Sequence, residues 1–154
     1  RTDCAAVFDE RVGVVVVMGG SDANFMPLAT VEGFDMRWLT WGLYPGMLTA
    51  RSSFAAGILD GKIVVAGGGG SDGHIVSVES FEPGMRGWQV LSAMSTPRPA
   101  AASVVLSGEF VLVGGSEPSE WFDVFDMRVW RRVPVVNIVR GCCRAAIASR
   151  LVYD

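Results

Sequence analysis

The chain has 154 residues, half of them hydrophobic, a mean hydropathy of +0.36, a formal charge of −3 and a sequence pI of about 5.1. That length suits about one domain. The longest clean apolar run, Val14 to Met18, falls far short of the roughly 20 residues that a bilayer-crossing helix needs, and scattered basic residues argue against a nucleic-acid surface.

At the amino terminus Asp3, Asp9 and Glu10 interrupt any apolar leader, so no signal peptide is read there. Three cysteines, two of them adjacent at Cys142 and Cys143, make neither a disulfide framework nor a spaced metal set. A reducing compartment, cytoplasmic or nuclear, is the expectation.

The first unit opens with strands over Ala5 to Phe8 and Val12 to Met18, split by Asp9-Glu10-Arg11. Their β-branched content suits strands, and their continuous apolar character predicts burial on both faces. Gly19-Gly20-Ser21-Asp22 ends the run. A small and polar segment leads to strands near Thr30 to Phe34 and Leu39 to Leu43, and Pro45-Gly46 closes the unit. In the second unit Phe54 to Leu59 and Lys62 to Ala66 flank Asp60-Gly61, a strong two-residue hairpin signal. Ile75 to Phe81 alternates as a half-wet strand should, and Trp88 to Leu91 follows. The third unit repeats the order with Ala102 to Ser107, Phe110 to Val113, Trp121 to Phe125 and Val129 to Val133. Residues 140–154 restart it. No apolar helical period survives the glycines and prolines, so no helix is expected.

The landmarks recur. Arg51, Arg98 and Arg140 each lie ten residues after a tryptophan (51−41, 98−88, 140−130), and Gly19 to Asp22, Gly69 to Asp72 and Gly114 to Glu117 are parallel Gly-Gly-Ser-acid steps. The arginines bound units of 98−51 = 47 and 140−98 = 42 residues. From glycine pair to tryptophan the distance shrinks from 41−20 = 21 to 88−70 = 18 and 130−115 = 15, as an exposed loop tolerates.

These residues resemble the kelch repeat of β-propellers: a double glycine after an apolar strand, an aromatic residue with tryptophan a fixed step later, and a period near 50 residues. Phe34 to Trp41 and Phe81 to Trp88 are both seven apart, whereas Phe125 to Trp130 is five, implying a tighter turn. The wording RSSFAAGILDGKIVVAGG, then VESFEP and a tryptophan, is most similar to plant-type F-box/kelch-repeat proteins.

The resemblance implies an all-β, kelch-type propeller of four-stranded blades: 1–50, 51–97 and 98–139, with 140–154 starting a further blade of the same domain. A ring typically takes about 4 to 8 blades, so the ring is expected to be incomplete and the chain a piece of a longer one. Small residues such as Ala55, Ala56, Gly57, Ala101 and Ala102 suit the crowded inner strand. Trp41, Trp88 and Trp130 are expected to bury large area between blades, and Trp38 and Trp121 to be more exposed.

The chemical motifs weigh little. Gly69 to Gly73 satisfies G-x-S-x-G with His74 beside it, but the nucleophile reading needs a strand-to-helix turn where a strand is predicted. No lysine and helix follow the glycines as a phosphate loop requires. A single histidine cannot build a multi-histidine metal site, and no carboxylate pair is placed for acid–base work. Cys142-Cys143 reads as inner-strand packing. No catalytic residue, metal or cofactor is expected, and the chain is read as a non-enzyme. Arg51, Arg98 and Arg140, with Arg1 as a further equivalent, begin the inner strands, and two readings stand. Their guanidinia cap local carbonyls, or they form a ring of bidentate donors for a partner's carboxylates or carbonyls. By the resemblance, the same rim includes Asp22, Asn24, Asp72, His74, Glu117 and Glu120.

The functional expectation is a protein-binding module that presents a substrate to a ubiquitin ligase through an F-box adaptor segment outside this sequence. The alternative is a kelch-type enzyme, a copper oxidase or specifier-like protein, with its catalytic residues mostly elsewhere.

Overall fold

The computed structural model describes residues 1–115 and 119–139, and every regular element among them is a strand. The first sheet is β1 (Ala5–Asp9), β2 (Val14–Met18), β3 (Val31–Asp35) and β4 (Thr40–Tyr44), hydrogen-bonded in that order. The second contains β5 (Ala55–Leu59), β6 (Lys62–Ala66), β9 (Val78–Phe81) and β10 (Gln89–Leu91) in the same order. The third contains β11 (Ala102–Leu106), β12 (Glu109–Val113), β13 (Ser119–Phe125) and β14 (Trp130–Val139). All pairs are antiparallel. Between β6 and β9 the second unit inserts a small hairpin, β7 (Gly69–Gly70) and β8 (Gly73–His74).

The hairpin turns are those that the residues favour. Asp60 and Gly61 lie at φ of 49° and 76°, and Ser107 and Gly108 at 52° and 76°, the pair of left-handed residues that a tight turn needs to match strand twist. In the first unit the turn is longer. The Gly13 amide donates to Asp9 O at 2.8 Å, and the buried Asp9 carboxylate accepts from the Arg11 backbone and side chain.

Adjacent sheets stack face to face, which explains the continuous apolar runs. Along β5 and β6, Ile63 and Val65, with Ala56 and Ile58, pack on Val14, Val16, Met18 and Val31 of the first sheet. The intervening Ala55, Leu59, Val64 and Ala66 pack on Phe110, Leu112 and Phe125 of the third. Side chains alternate across a strand, so each neighbour requires its own apolar set. Close approach is built in at Gly57, where a Cβ would stand 2.9 Å from the Phe110 ring.

Each repeated phenylalanine meets its tryptophan across the outer strand pair: Phe34 and Trp41, Phe81 and Trp88, and Phe125 and Trp130 have ring centroids 5.2, 5.4 and 4.7 Å apart. The Trp88 indole N–H donates to Pro45 O, and that of Trp130 to Ser92 O, both at 2.8 Å. Each tryptophan thereby ties its sheet to the chain leaving the preceding sheet. Trp88 is 6% exposed, but Trp41 is 62% exposed, which corrects the expectation that all three are buried between blades. Trp41 lies on the face of the first sheet turned away from the second, together with the exposed Phe8 and Leu43. Trp38 and Trp121 are exposed as expected.

The repeat register also needs correction in the second unit. The glycines equivalent to Gly19-Gly20 and Gly114-Gly115 are Gly67-Gly68, not Gly69-Gly70: all three pairs have positive φ, and Gly69 and Gly70 are spent on the inserted hairpin. That hairpin also delays the third strand, predicted from Ile75, to Val78. Measured from the correct pair, the step to tryptophan is 88−68 = 20, close to the 21 of the first unit. The start of a further unit at 140–154, with Cys142 and Cys143, lies outside the described residues.

Candidate functional site

Each inner strand is preceded by an arginine, and the three in the described residues make the same clamp. Arg51 Nη1 donates to Gly67 O at 3.0 Å and to Ser77 O at 3.0 Å, while Nη2 donates to Ser77 Oγ at 3.0 Å and Glu79 Oε1 at 2.5 Å. Arg98 Nη1 donates to Gly114 O at 3.0 Å, Nη2 donates to Trp121 O at 3.1 Å, and Nε is paired with Asp123. In the first unit Arg1 reaches Gly19 O at 3.4 Å and Glu32 Oε2 at 2.8 Å. The guanidinium therefore joins three segments: the start of the inner strand, the first glycine of the pair that ends the second strand, and an acid on the third strand. Its planar fork of donors suits that geometry as a lysine would not.

The glycines are required by the close fit. Gly19 sits at φ 55°, and a Cβ there would stand 2.6 Å from Arg51 O, while the neighbouring Gly20 amide donates to Arg51 O at 2.9 Å. Two residues beyond each arginine, Asp3, Ser53 and Ala100 adopt φ of 53°, 48° and 57°. Ser53 N donates to Asp3 O at 2.9 Å and Ala100 N to Ser53 O at 2.8 Å, so backbone bonds link one unit to the next along the inner rim.

Glu79 does more than balance charge. Its carboxylate also accepts from Leu48 N at 2.7 Å and Thr49 N at 3.0 Å, fixing the connection between the first and second sheets. Arg51 and Glu79 are 0% and 1% exposed. Burial pulls the Arg51 guanidinium below its ordinary value, and Glu79 opposes that pull. Burying a pair like this is tolerated where further hydrogen bonds satisfy both partners, as they do here.

This geometry assigns Arg51 and Arg98 to the first of the two readings, capping of local carbonyls. The expectation that they present donors to a partner is corrected for these two, because their guanidinia are buried and engaged within the fold. Arg140 and Glu117 lie outside the described residues, and Glu120 falls within β13 rather than in a loop.

The other expected residues sit in loops at the clamp end of the sheets. In the first unit Asp22 Oδ1 accepts from Asn24 N at 2.8 Å and Met26 N at 2.9 Å, and Asp22 N donates to Met26 O at 3.0 Å. This closed turn holds Phe25 at φ 61° with its side chain 85% exposed. A bulky residue in that backbone region costs about 1 to 3 kcal/mol and persists only where its surroundings impose it. In the second unit Asp72 is at the tip of the β7–β8 hairpin and His74 closes it opposite Gly69, both exposed. Ser71 shares that hairpin, with no helix behind it, so the nucleophile pattern has no elbow.

Sequence reasoning missed the acids Glu32, Glu79 and Asp123. Their signal was present: each stands two residues before the repeated phenylalanine (34−32, 81−79, 125−123). It also missed Phe25, whose role depends on how Asp22 folds the loop. Among the described residues no three of His, Cys, Asp and Glu come together as a metal cluster.

Residues 50–95 match the Kelch motif family. Over 138 residues, 89% of this chain, the sequence is 38% identical to the F-box/kelch-repeat protein At4g39560 of Arabidopsis thaliana. Over 64 residues, 40% of the chain, it is 44% identical to the F-box/kelch-repeat protein At1g30090 of the same plant. The matched regions are 35% and 16% of those relatives, so the chain spans about a third or less of their length. Among solved structures, that of YjhT superposes on 92% of the chain with a TM-score of 0.76 at 15% identity, covering 54% of its own chain. This likeness supports the fold.

Proposed function

From a chain built of kelch-type propeller blades, we propose that its clamp-end loops recognise a partner protein, and that the whole protein is a substrate receptor of a ubiquitin ligase, joined to the ligase by an F-box segment. The observation that carries the first part is the Asp22–Met26 turn, whose fixed backbone displays an exposed aromatic ring. Rigid aromatic anchors give up little entropy on binding and dominate interface energies. The β7–β8 hairpin of the next blade, with Asp72 and His74, adds polar contacts at the same end of the sheets. Likeness to two proteins named F-box/kelch-repeat supports the second part.

Binding of this kind uses shape and hydrogen bonds and makes no covalent bond, so the chain is read as a binding module and not an enzyme. A photo-crosslinking residue placed at Asn24 or at His74 in the full-length protein should capture one partner in both cases, and Phe25→Ala should weaken that capture at least tenfold. The same residue placed at Asp60, at the opposite end of the sheets, should capture nothing. Equal capture from both ends, or capture indifferent to Phe25, refutes the loop assignment. Failure of the full-length protein to co-purify with a ubiquitin-ligase adaptor refutes the ligase assignment alone.

A further inference from the structure

The connection from the second sheet to the third, residues 92–101, carries a feature that partner recognition does not use. Thr96-Pro97 is the sole Ser/Thr-Pro dipeptide of the sequence. Thr96 and Pro97 are exposed, outside any strand, and anchored on either side by the buried Met94 and Arg98. An accessible Thr-Pro step outside regular structure is one that a proline-directed protein kinase can take as substrate.

The surroundings are already arranged for an anion. Arg132, on the outer strand β14, donates through Nη2 to Thr96 Oγ1 at 2.9 Å and to Ser95 Oγ at 2.8 Å. Its Nε lies 3.4 Å from Asp123 Oδ1, a carboxylate already paired with Arg98. Two guanidinia thus share one carboxylate. Ser95 and Asp123 line an open groove of ≈560 Å³ together with Arg128, Arg131 and Arg132. Arg131 is held by both oxygens of Glu109 at 2.6 Å, and the exposed Arg128 contributes to the groove wall.

We propose that Thr96 is a phosphorylation site, written by a proline-directed protein kinase, whose phosphate is received by Arg132 and the arginine-lined groove beside it. In the transfer, Thr96 Oγ1 attacks the γ-phosphorus of ATP, the new O–P bond forms as the bond to the β-phosphate oxygen breaks, ADP leaves, and the hydroxyl proton passes to the kinase's base. The product adds about −1.5 to −2 charge and three acceptor oxygens. They stand two bonds beyond an oxygen that Arg132 already contacts, within reach of the same guanidinium. Charge-assisted bonds to Arg132 then fasten the connection to the outer strand of the third sheet.

The test is to treat the folded full chain with a purified proline-directed kinase and Mg-ATP, map the product by mass spectrometry, and titrate it by ³¹P NMR. One phosphate per chain is expected, at Thr96, and none on Thr96→Ala. Its second ionisation should lie about one unit below that of a phosphothreonine peptide, because an adjacent guanidinium favours the dianion. That shift should vanish in Arg132→Gln and persist in part in Arg132→Lys. Phosphate absent from Thr96, or placed elsewhere, overturns the site. An unshifted phosphothreonine, or an equal shift in Arg132→Gln, overturns the receiving groove.

Discussion

Removing one member of the Arg51–Glu79 pair should be among the most damaging single changes available to this chain. Both side chains are essentially inaccessible, so the pair belongs to the buried class, where truncating one partner costs about 3 to 5 kcal/mol because the other charge is left uncompensated. Arg51→Met would strand the Glu79 carboxylate, although the Leu48 and Thr49 amides would still donate to it. Glu79→Leu would strand both those amides and the guanidinium, so it should be the worse of the two, near the upper end of that range. Replacing both should recover several kcal/mol relative to the sum of the single changes. The internal control is Glu32→Gln, which breaks the equivalent pair where Arg1 and Glu32 are 19% and 39% exposed; partly exposed pairs contribute about 0 to 1 kcal/mol. Urea unfolding followed by far-ultraviolet circular dichroism gives all of these values. Additive single and double costs, or a Glu79→Leu cost no larger than that of Glu32→Gln, would refute the view that the repeated clamp is an internal brace.

Three further outcomes can be checked in the same way. Gly19→Ala should destabilise by more than the roughly 1 to 2 kcal/mol that a Cβ costs in a left-handed backbone, because the new methyl also meets Arg51 O; Gly13→Ala, also left-handed but with open space around it, should cost less in the same urea assay. In single-tryptophan variants, acrylamide should quench Trp41 strongly and Trp88 weakly, and Trp88→Ala should cost about 3 to 5 kcal/mol whereas Trp41→Ala costs far less. The Asp9 carboxyl is held below its ordinary value chiefly by the hydrogen bond from the Arg11 side chain. Its stabilisation is therefore present above the unfolded aspartate value and lost as pH falls through the lower folded one, so Arg11→Met should make acid unfolding begin at higher pH.

The fold was legible because propeller blades write their packing into short repeated words. Double burial of β5 and β6 shows as unbroken runs of Val, Ile and Ala, and Asp60-Gly61 announces its own turn. What misled the reading was local degeneracy. Four consecutive glycines at Gly67 to Gly70 offer two equally good pairs on paper, and only the backbone shows which pair faces the Arg51 guanidinium. The arginines were found by period alone, yet period cannot distinguish a side chain that faces a channel from one folded back onto its own blade. The deciding residue, Glu79, lies 28 positions away in sequence and shows itself only once the third strands are aligned on their phenylalanines. Trp41 illustrates the converse: identical in pattern to Trp88, it differs because burial of a face depends on what stands opposite it, which no residue of that face encodes.

Consistency between brace and loop follows from this division of labour. Each clamp ties down the glycine pair at which the variable loop begins, so loop length and sequence can change without disturbing the sheets. The first two units show the result: nearly the same step from glycine pair to tryptophan, 21 and 20 residues, is spent once on a closed turn that displays Phe25 and once on a glycine hairpin that displays Asp72 and His74. Exchanging these two loops between the units should therefore preserve the unfolding free energy to within about 0.5 kcal/mol, the range of surface changes away from buried features, while moving the phenylalanine-dependent part of partner capture from the first blade to the second. A large loss of stability on exchange would mean that the loops themselves hold the blades, and that the arginines do not.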